Sequence, residues 1–381
     1  PRGRAGARVR PGPPPQARRR AGSGGPGRPR RKKKRYGIVI LLLVLAVLGV
    51  GIYGILNVYM NRISGSEVLP DDIGTTVYKG QKVVSGLICG LDYDNEGADG
   101  YSTADKVGRT DMILYMRYDT EANKLALLQI PRDTYVGPEL STGNTYKINA
   151  LYYCAPNPEN RMEALARTIY DQFKLPVDFY ATIDMDALKE IVDIKGWIEV
   201  YVPMDITDPD YPGTGLEAGL RNLTGEQVEF LLRNRHNPGY NDQGDIARLQ
   251  TQQSFYSALY REFKTLQPKD LLMWMDVLTY RIKTDMDLIQ LGGLAQKALS
   301  ISGADITFVR PPCGSATYNG RAVVSLEKEG TAELLNQYFR APEDAVPASG
   351  LDIQALPLYV GVMEADVKTM ADVQTTEPVG G

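Results

Sequence analysis

The sequence predicts an α/β fold: a single α/β/α domain with a central mixed sheet flanked by helices, after an N-terminal transmembrane helix. Short apolar runs bounded by glycine or polar turn residues are typical of buried strands, and they alternate with segments whose apolar residues recur at helical spacing. Such alternation favours a mainly buried sheet with helices on both faces. An uncharged stretch, Tyr36 to Asn61, stands apart from this pattern and favours a membrane span.

Three strands are predicted at the start of the domain. The apolar run from Val83 to Leu91, with glycines around it, suits a buried strand. The segments 111–118 and 124–130 form two more, separated by a polar turn at 119–123. Pro131 ends the third strand, because proline has no N–H to donate to a sheet.

Helices and further strands follow. The spacing of Met162, Leu165 and Ile169 predicts a helix over 161–173. Thr224 and Gln227 have the spacing of a capping box, which predicts a helix that runs to about Arg235. The other predicted elements are, in order, a strand over 177–183, a helix over 184–192, a strand over 197–202, helices over 245–263 and 288–300, and a strand over 306–309.

Composition divides the chain into five parts. Residues 1–35 are expected to be a disordered cytoplasmic arm, because a Pro-, Gly- and Arg-rich segment cannot build a core. Residues 36–58 form the transmembrane anchor, and 59–80 an extracytoplasmic stalk. Residues 81–345 form the α/β/α domain. Residues 346–381 lack a clear pattern and are expected to be a flexible tail.

The predicted anchor and its orientation rest on length and charge. The twenty or so apolar residues from 37 to 56 would reach about 30 Å as a helix, enough to cross a bilayer and longer than the apolar core of a signal peptide. The arm before them holds 14 Lys or Arg and no acid, which keeps it cytoplasmic. We therefore expect a single-pass protein of the cell membrane with an extracytoplasmic C-terminal domain. Attraction of the arm to anionic membrane lipids is favoured over binding to nucleic acid.

The charge of the outer part limits its partners. Without the 14 basic residues of the arm and Arg62, 28 basic residues face 46 acidic ones. Such a balance excludes a general affinity for polyanions, nucleic acid included. A basic cluster in this part of the chain therefore indicates a local function.

Cysteine and histidine offer little chemistry. Cys89, Cys154 and Cys313 show no metal-ligand spacing, so a zinc site is not expected. Cys89 lies in a predicted strand, whereas Cys154 and Cys313 lie in loop-like contexts. Whether these two form a disulfide is left open by the sequence. His236 is the only histidine and is expected at an exposed helix end, which disfavours histidine catalysis.

The remaining candidates for functional side chains are carboxylates and arginines. Asp92 follows a predicted strand and Asp111 opens the next, so the two share one crevice if the strands are neighbours. Mg²⁺ prefers one or two carboxylates plus phosphate oxygens, although each aspartate could instead cap a turn. Asp133 is placed either to hold the arginine before it or to cap a turn. Guanidinium groups suit phosphate because they donate two parallel hydrogen bonds, and the alternative for each is a surface ion pair. The candidates are Arg109, Arg132, Arg233, Arg235 and Arg248, with Gln252 one helical turn after the last.

At this point the sequence resembles the LytR-CpsA-Psr family of bacterial cell-wall glycopolymer transferases. The resemblance runs over roughly residues 83–340, and its motifs follow one another in the family's order. They are Gly90-x-Asp92, Arg109-Thr-Asp111, Ile130-Pro-Arg-Asp133, Lys147-Ile-Asn149, Pro176-Val-Asp-Phe-Tyr180, Leu223-x-Gly-Glu226, Arg233-x-Arg235 and Asp245-x-x-Arg248 with Gln252.

The resemblance implies transfer of a phosphate-linked glycopolymer from a polyprenyl diphosphate carrier to peptidoglycan. It makes Asp92 and Asp111 the Mg²⁺ ligands and, with Arg132, the catalytic residues. The resemblance also implies a set of substrate-binding residues, which are Arg109, Lys147, Arg233, Arg235, Arg248 and Gln252. It also implies a hydrophobic pocket for the polyprenyl chain between the sheet and the helices. A non-catalytic lipid-carrier binder or envelope regulator, and a hydrolase that releases the glycan, are the alternatives.

Two positions depart from the family pattern. The stretch between Asp92 and Asp111 is lengthened by an acidic, Gly-rich insert around residues 95–106. Thr251 stands where the family usually has a second arginine before the glutamine, so one diphosphate contact is expected to be missing or supplied elsewhere.

The expected topology is testable with protease. Because the 14 charges of the arm should hold it inside, protease added to intact protoplasts should degrade residues 63–381 and spare the arm. Immunoblots against each end would report the fragments, and protection of the C-terminal domain would refute this orientation.

Overall fold

The computed structural model describes residues 67–74, 82–92, 108–209, 213–240, 244–358 and 361–373, with scattered positions between 54 and 65. The predicted cytoplasmic arm, almost all of the predicted anchor and the insert around residues 95–106 lie outside these residues. No helix in the described part is both long enough and apolar enough to cross a membrane.

The strands, in chain order, are β1 (Val83–Asp92), β2 (Arg109–Asp119), β3 (Lys124–Gln129), β4 (Phe179–Asp184), β5 (Ile198–Val202), β6 (Ile206–Thr207), β7 (Gly215–Leu216), β8 (Gly219–Leu223), β9 (Ile282–Thr284), β10 (Ile306–Arg310), β11 (Cys313–Tyr318), β12 (Arg321–Leu326) and β13 (Asp366–Thr369). The helices are α1 (Ala150–Tyr153), α2 (Arg161–Phe173), α3 (Met185–Lys195), α4 (Gly225–Arg233), α5 (Gly244–Thr265), α6 (Pro268–Arg281), α7 (Leu288–Ser300), α8 (Lys328–Tyr338) and α9 (Met370–Val373).

Seven of these described strands form the central sheet, in the order β13-β10-β3-β2-β1-β4-β9. The pairs β1–β4 and β3–β10 are parallel, and the other neighbours are antiparallel. Three antiparallel pairs, β11–β12, β5–β8 and β6–β7, lie outside the sheet. The mixed sheet predicted from the sequence is therefore confirmed.

Both faces of the sheet are buried. Along β2, Ile113 and Tyr115 point into one apolar cluster, which they share with Leu165 of α2. Met112 and Leu114, at the alternate positions, point into a second cluster with side chains of α3, α4 and α5. The alternation of strand side chains thus places helices on opposite faces, as expected for an α/β/α domain.

Local signals placed many of the elements correctly. The capping box is present: the Gln227 amide donates to Thr224 Oγ1 (3.4 Å), and the Thr224 amide donates to Gln227 Oε1 (3.0 Å). The helix over 161–173 has the predicted bounds. Helices α6 and α8, strand β13 and the β11–β12 hairpin were not predicted. The hairpin had a signal, since its two-residue turn is Asn319-Gly320, the pair that such turns favour.

The expected flexible tail is wrong for residues 346–358 and 361–373. Leu351 and Ile353 are buried in the main apolar cluster. Strand β13 pairs with β10 and forms one edge of the central sheet. The irregular chain before β13 has no periodic pattern because long-range packing, not local spacing, holds it in place.

The stalk expectation is also wrong for residues 67–74. Leu69 and Ile73 are buried in the same cluster. The Glu67 carboxylate accepts a hydrogen bond from the Met162 amide (2.7 Å), in the first turn of α2. This segment is therefore part of the domain, with an acid at a helix N-terminus where the helix dipole favours it.

All three cysteines are free, so Cys154 and Cys313 do not form the disulfide that the sequence left open. Cys313 lies in β11 rather than in a loop, and its side chain points into the core. Its Sγ accepts a hydrogen bond from Arg310 Nη1 (3.4 Å). Cys89 is a buried core residue of β1, as expected.

Candidate active site

The two predicted metal-ligating aspartates lie on neighbouring strands. Asp92 is the last residue of β1 and pairs with Arg109, the first residue of β2. The register of this antiparallel pair shifts at Gly90/Leu91, so Asp111 has no partner on β1. A β-bulge of this kind re-aims the side chain of the extra residue. The condition that the sequence left open, adjacency of the two strands, is met.

The electrostatics of Asp92 reveal what surrounds it. Burial raises the pKa of Asp92, and the charge of Asp111 raises it further, whereas the guanidinium of Arg233 lowers it. Arg132 and Arg248 also lower this pKa. Five of the predicted residues therefore share one electrostatic neighbourhood.

Arg132 is held on two sides. It follows Pro131 at the end of β3, and its carbonyl accepts a hydrogen bond from the Asn149 amide (3.1 Å). Its Nη1 lies 2.5 Å from Asp111 Oδ2, and its Nε lies 3.5 Å from Asp133 Oδ1. The side chain is only 12% exposed. Both ends of the residue are thus fixed, which preorganises the guanidinium.

Asp133 joins Arg132 to a second cation. Its Oδ2 lies 2.5 Å from the Nζ of Lys147, which is held just before α1. Of the two roles left open for Asp133, this geometry matches the one in which it holds Arg132. Because one carboxylate serves two cations, the group of three keeps a net positive charge.

Arg233, at the C-terminus of α4, reaches several carboxylates. Its Nη2 lies 3.4 Å from Asp92 Oδ1 and 3.1 Å from Asp186 Oδ1, and its Nε lies 3.6 Å from Glu229 Oε1. Arg235, two residues later, is exposed. It lines a cavity of about 620 Å³ together with Arg233 and other residues. The helix end therefore places one arginine in the aspartate cluster and the other on an adjoining surface.

Helix α5 contributes from the interior. Arg248 and Gln252, one turn apart, are both almost fully buried. Thr251 between them is completely buried, and its hydroxyl donates to the carbonyls of Leu231 (3.2 Å) and Arg248 (2.8 Å). Thr251 thus packs α5 against α4 and supplies no charge to the site, so the family's second arginine has no equivalent at this position.

Arg109 lies at the edge of a second cavity, of about 310 Å³. Its guanidinium lies over the ring of Tyr153, 5.9 Å from the ring centre. Arg132, Lys147 and Arg321 line the same cavity. Arg321 was not singled out from the sequence, because only the folded β11–β12 hairpin brings it here.

His236 lies outside this arrangement. Its side chain is 59% exposed, and its Nδ1 lies 3.8 Å from Asp208 Oδ1. The predicted exposed helix-end position is confirmed. The chemistry of the cluster therefore comes from its carboxylates and arginines.

The aspartate pair fits a hard cation. Asp111 Oδ1 is buried and has no hydrogen-bond donor among the described residues, while Asp111 Oδ2 is bound to Arg132. No group of three or more His, Cys, Asp or Glu side chains in the described part could hold a metal alone. Two carboxylates do match the set that Mg²⁺ uses when phosphate oxygens and water complete its coordination. Asp92 and Asp111 are therefore suitable ligands for a cation shared with a phosphate.

The fold and the site define an α/β/α protein with a cluster of arginines and aspartates at the ends of its central strands. The profile of the LytR_cpsA_psr family matches residues 61–340, and the chain belongs to this family. The resemblance drawn from the motifs is thereby confirmed.

Named relatives share part of the chain. The polyisoprenyl-teichoic acid–peptidoglycan teichoic acid transferase TagV of Bacillus subtilis is 29% identical over 170 residues, covering 43% of this chain and 41% of TagV. The cell wall biosynthesis protein LcpA of Corynebacterium glutamicum is 23% identical over 290 residues, covering 68% of this chain and 54% of LcpA. The chain thus spans about half the length of these two relatives.

Solved structures share the fold. Protein gbs0355 of Streptococcus agalactiae superposes with a TM-score of 0.56 and 22% identity, over 73% of this chain and 93% of that one. A LytR-Csp2A-Psr enzyme from Actinomyces oris superposes with a TM-score of 0.52 and 22% identity, over 74% and 97% respectively. The α/β/α architecture is therefore that of the family.

The contacts of Asp92 predict how it titrates. Because its pKa is raised, the carboxyl group should bind a proton at a higher pH than an ordinary aspartate does. Arg233 lowers this pKa, so Arg233→Gln should move the titration to still higher pH. NMR of the protein labelled with ¹³C-aspartate would follow the Asp92 carboxyl directly.

Arg221→Gln is the matched control, since Arg221 pairs with Glu217 on the surface and does not affect the pKa of Asp92. Titration of Asp92 at the same or a lower pH in Arg233→Gln than in the parent would contradict the assignment of Arg233 as its main counter-charge.

Proposed function

We propose that this protein is a membrane-anchored, Mg²⁺-dependent phosphotransferase that moves a phosphate-linked glycopolymer from a polyprenyl diphosphate to peptidoglycan. The observation that carries the proposal is the fixation of Arg132 by Asp111 and Asp133, in the electrostatic neighbourhood of Asp92 and Arg233. The printed name of the relative TagV, a polyisoprenyl-teichoic acid–peptidoglycan teichoic acid transferase, supports the same activity.

The proposed reaction is a displacement at phosphorus. A hydroxyl oxygen of peptidoglycan forms a bond to the glycan-linked phosphorus, the bond from that phosphorus to the bridging oxygen breaks, and polyprenyl phosphate leaves. The hydroxyl proton passes to solvent or to a carboxylate. Negative charge spreads over the phosphate oxygens during the step, so preorganised guanidinium groups should supply much of the catalysis.

The residues of the cluster have different proposed roles. Arg132 lies closest to the aspartates and would stabilise the charge that develops on the transferred phosphoryl group. Bound to Asp92 and Asp111, Mg²⁺ would neutralise phosphate oxygens and orient them. The residues proposed to bind the donor substrate are Arg109, Lys147, Arg233, Arg235, Arg248 and Gln252.

The polyprenyl chain requires an apolar site. We place it between the sheet and helices α3 to α5, where the second apolar cluster contains Met112, Leu231 and Phe255. Helix α5 links this region to the charged end, because Arg248 and Gln252 lie on the same helix as Phe255. A lipid in this layer would meet the arginines with its diphosphate.

The sequence supports the proposed location. The apolar stretch 36–58 and the basic arm before it support a single-pass protein of the cell membrane, with the α/β/α domain outside. This orientation would bring the domain to both a lipid-linked donor and peptidoglycan, and the protease experiment described above tests it.

Substitution of the aspartates tests the role of the metal. The full-length chain in detergent, supplied with a polyprenyl-diphosphate-linked glycan and peptidoglycan oligomers, should transfer the glycan only when Mg²⁺ is present. Asp92→Ala and Asp111→Ala should each lower this transfer by roughly a hundredfold or more, because each removes a ligand of the charge-neutralising cation. Asp171→Ala, at an exposed position of α2, is the control and should keep full activity.

Product analysis separates the outcomes. Binding of the donor without metal-dependent transfer would indicate that the protein is a non-catalytic binder or regulator. Release of free glycan in the absence of peptidoglycan would indicate a hydrolase. Near-normal, Mg²⁺-dependent transfer by either aspartate variant would remove that residue from the ligand set.

Arg132 should be the most sensitive of the arginines. Loss of one preorganised donor to a developing oxyanion costs about 10²–10³ in rate, and we expect this of Arg132→Ala. Arg132→Lys should not recover activity, because an ammonium group cannot contact Asp111 and Asp133 with two separate nitrogens. Rates of glycan transfer at saturating donor measure the effect.

Arg221→Ala and Arg221→Lys form the matched control pair, since this surface arginine is 42% exposed. Transfer by Arg132→Lys at the rate of the parent would show that Arg132 contributes charge alone and that its two-nitrogen contact is not needed.

A further inference from the structure

A strongly basic cavity is lined by Arg132, and Asp111 is not among its lining residues. The described residues that line this cavity of about 310 Å³ include four cations, Arg109, Arg132, Lys147 and Arg321, and one carboxylate, Asp133. Asp111, which is outside the lining, also pairs with Arg132. Asp133 is already bound to Arg132 and Lys147. The cavity therefore keeps an excess of positive charge, in a domain whose acidic residues greatly outnumber its basic ones.

Arg321 is positioned by a rigid hairpin. It directly follows the turn formed by Asn319 and Gly320, both of which have positive φ (47° and 72°), and it pairs with Tyr318. The ring of Tyr318 packs 4.9 Å from that of Tyr135. It also packs edge-on at 4.8 Å from the ring of Tyr146, whose hydroxyl is bonded to Asn319. An exposed arginine on such a fixed tip loses less freedom on binding than one on a mobile loop.

The same hairpin is bonded to the segment that carries Arg132. The Val324 amide donates to the carbonyl of Asp133 (2.8 Å), and the Tyr135 amide donates to the carbonyl of Val324 (2.8 Å). The position of Arg321 is thus fixed relative to Arg132. Among the described residues, no carboxylate pairs with Arg321, so its guanidinium is available to a ligand.

We propose that Arg321, with Arg109 and Lys147, forms a subsite for a second acidic group of the donor glycan. This group would be a phosphate or carboxylate on the sugar units next to the transferred phosphoryl group. The inference rests on the proposed function, since Arg132 belongs both to the aspartate cluster and to this cavity. A glycan leaving the diphosphate past Arg132 would enter the cavity, where Thr145 and Asn149 offer hydrogen bonds to its hydroxyls.

The volume and polarity of the cavity support a sugar unit rather than a lipid. About 310 Å³ is at the lower end of small-molecule sites. The charge-assisted pairs that Arg forms with phosphate or carboxylate are strong and directional. The subsite would therefore favour acidic polymers over neutral ones, which makes Arg321 a specificity-determining residue rather than a catalytic one.

Binding to three donors tests the proposal in the full-length chain. The probes are farnesyl diphosphate, a polyprenyl diphosphate bearing a neutral disaccharide, and the same lipid-linked disaccharide extended by one glycerol phosphate. Arg321→Ala should weaken binding of the glycerol phosphate donor about tenfold, the range for a hydrogen bond to a charged group, and leave the other two within about twofold. Arg321→Glu should weaken binding of the glycerol phosphate donor further. Arg221→Ala is the control, and thermal unfolding should be unchanged in all variants because both side chains are exposed.

Each other result overturns the proposal. An equal loss for all three donors would place Arg321 in the diphosphate site, and no loss for any donor would leave the cavity without this role. A rise in the KM for peptidoglycan oligomers, with donor binding unchanged, would assign the cavity to the acceptor. If the parent protein binds none of the lipid donors, the proposed function itself fails, whatever the variants do.

Discussion

The burial of two like charges, Asp92 and Asp111, is the constraint around which the site is organised. Two carboxylates on neighbouring strands, each only 15–20% exposed, are unfavourable as bare charges because burial removes their hydration. Burial and Asp111 raise the pKa of Asp92, and only the surrounding guanidinium groups oppose this rise. The arginines of α4, α5 and the β3 end are thus needed in the resting fold as well as for any phosphate ligand.

The fold meets this constraint with elements distant in sequence. A bulge in β2 gives Asp111 its unpaired position, and Arg132 approaches it from the end of β3. Arg233 reaches Asp92 from the C-terminus of α4, where the helix dipole favours a cation. Ion pairs as buried as these add little net stability, because the loss of hydration offsets their attraction, so their arrangement is better explained by function.

The sequence was informative wherever a local rule governs the structure. The strand before Pro131, the capping box at Thr224 and the helix over 161–173 follow from proline chemistry, side-chain capping and apolar spacing. The motif order identified the family and most of the charged cluster. The adjacency of β1 and β2 could only be stated as a condition, because pairing is set by the whole sheet. Residues 67–74 and β13 escaped prediction for the same reason, since their order comes from contacts with α2, β10 and the main apolar cluster.

Arg321 shows most clearly why a site cannot be read entirely from motifs. Its spacing carries no signal, and it lies in an acidic domain where a single arginine is expected on the surface. Its position depends on Tyr318 packing against Tyr135 and on Val324 bonding to Asp133, contacts between residues that lie far apart in the sequence. This construction separates two tasks: the strand ends fix Arg132, while an exposed hairpin tip next to it presents a residue that can change without disturbing the core. Under the proposed function, such a division would let the tip residue select the polymer without any change in the residues that contact the transferred phosphate.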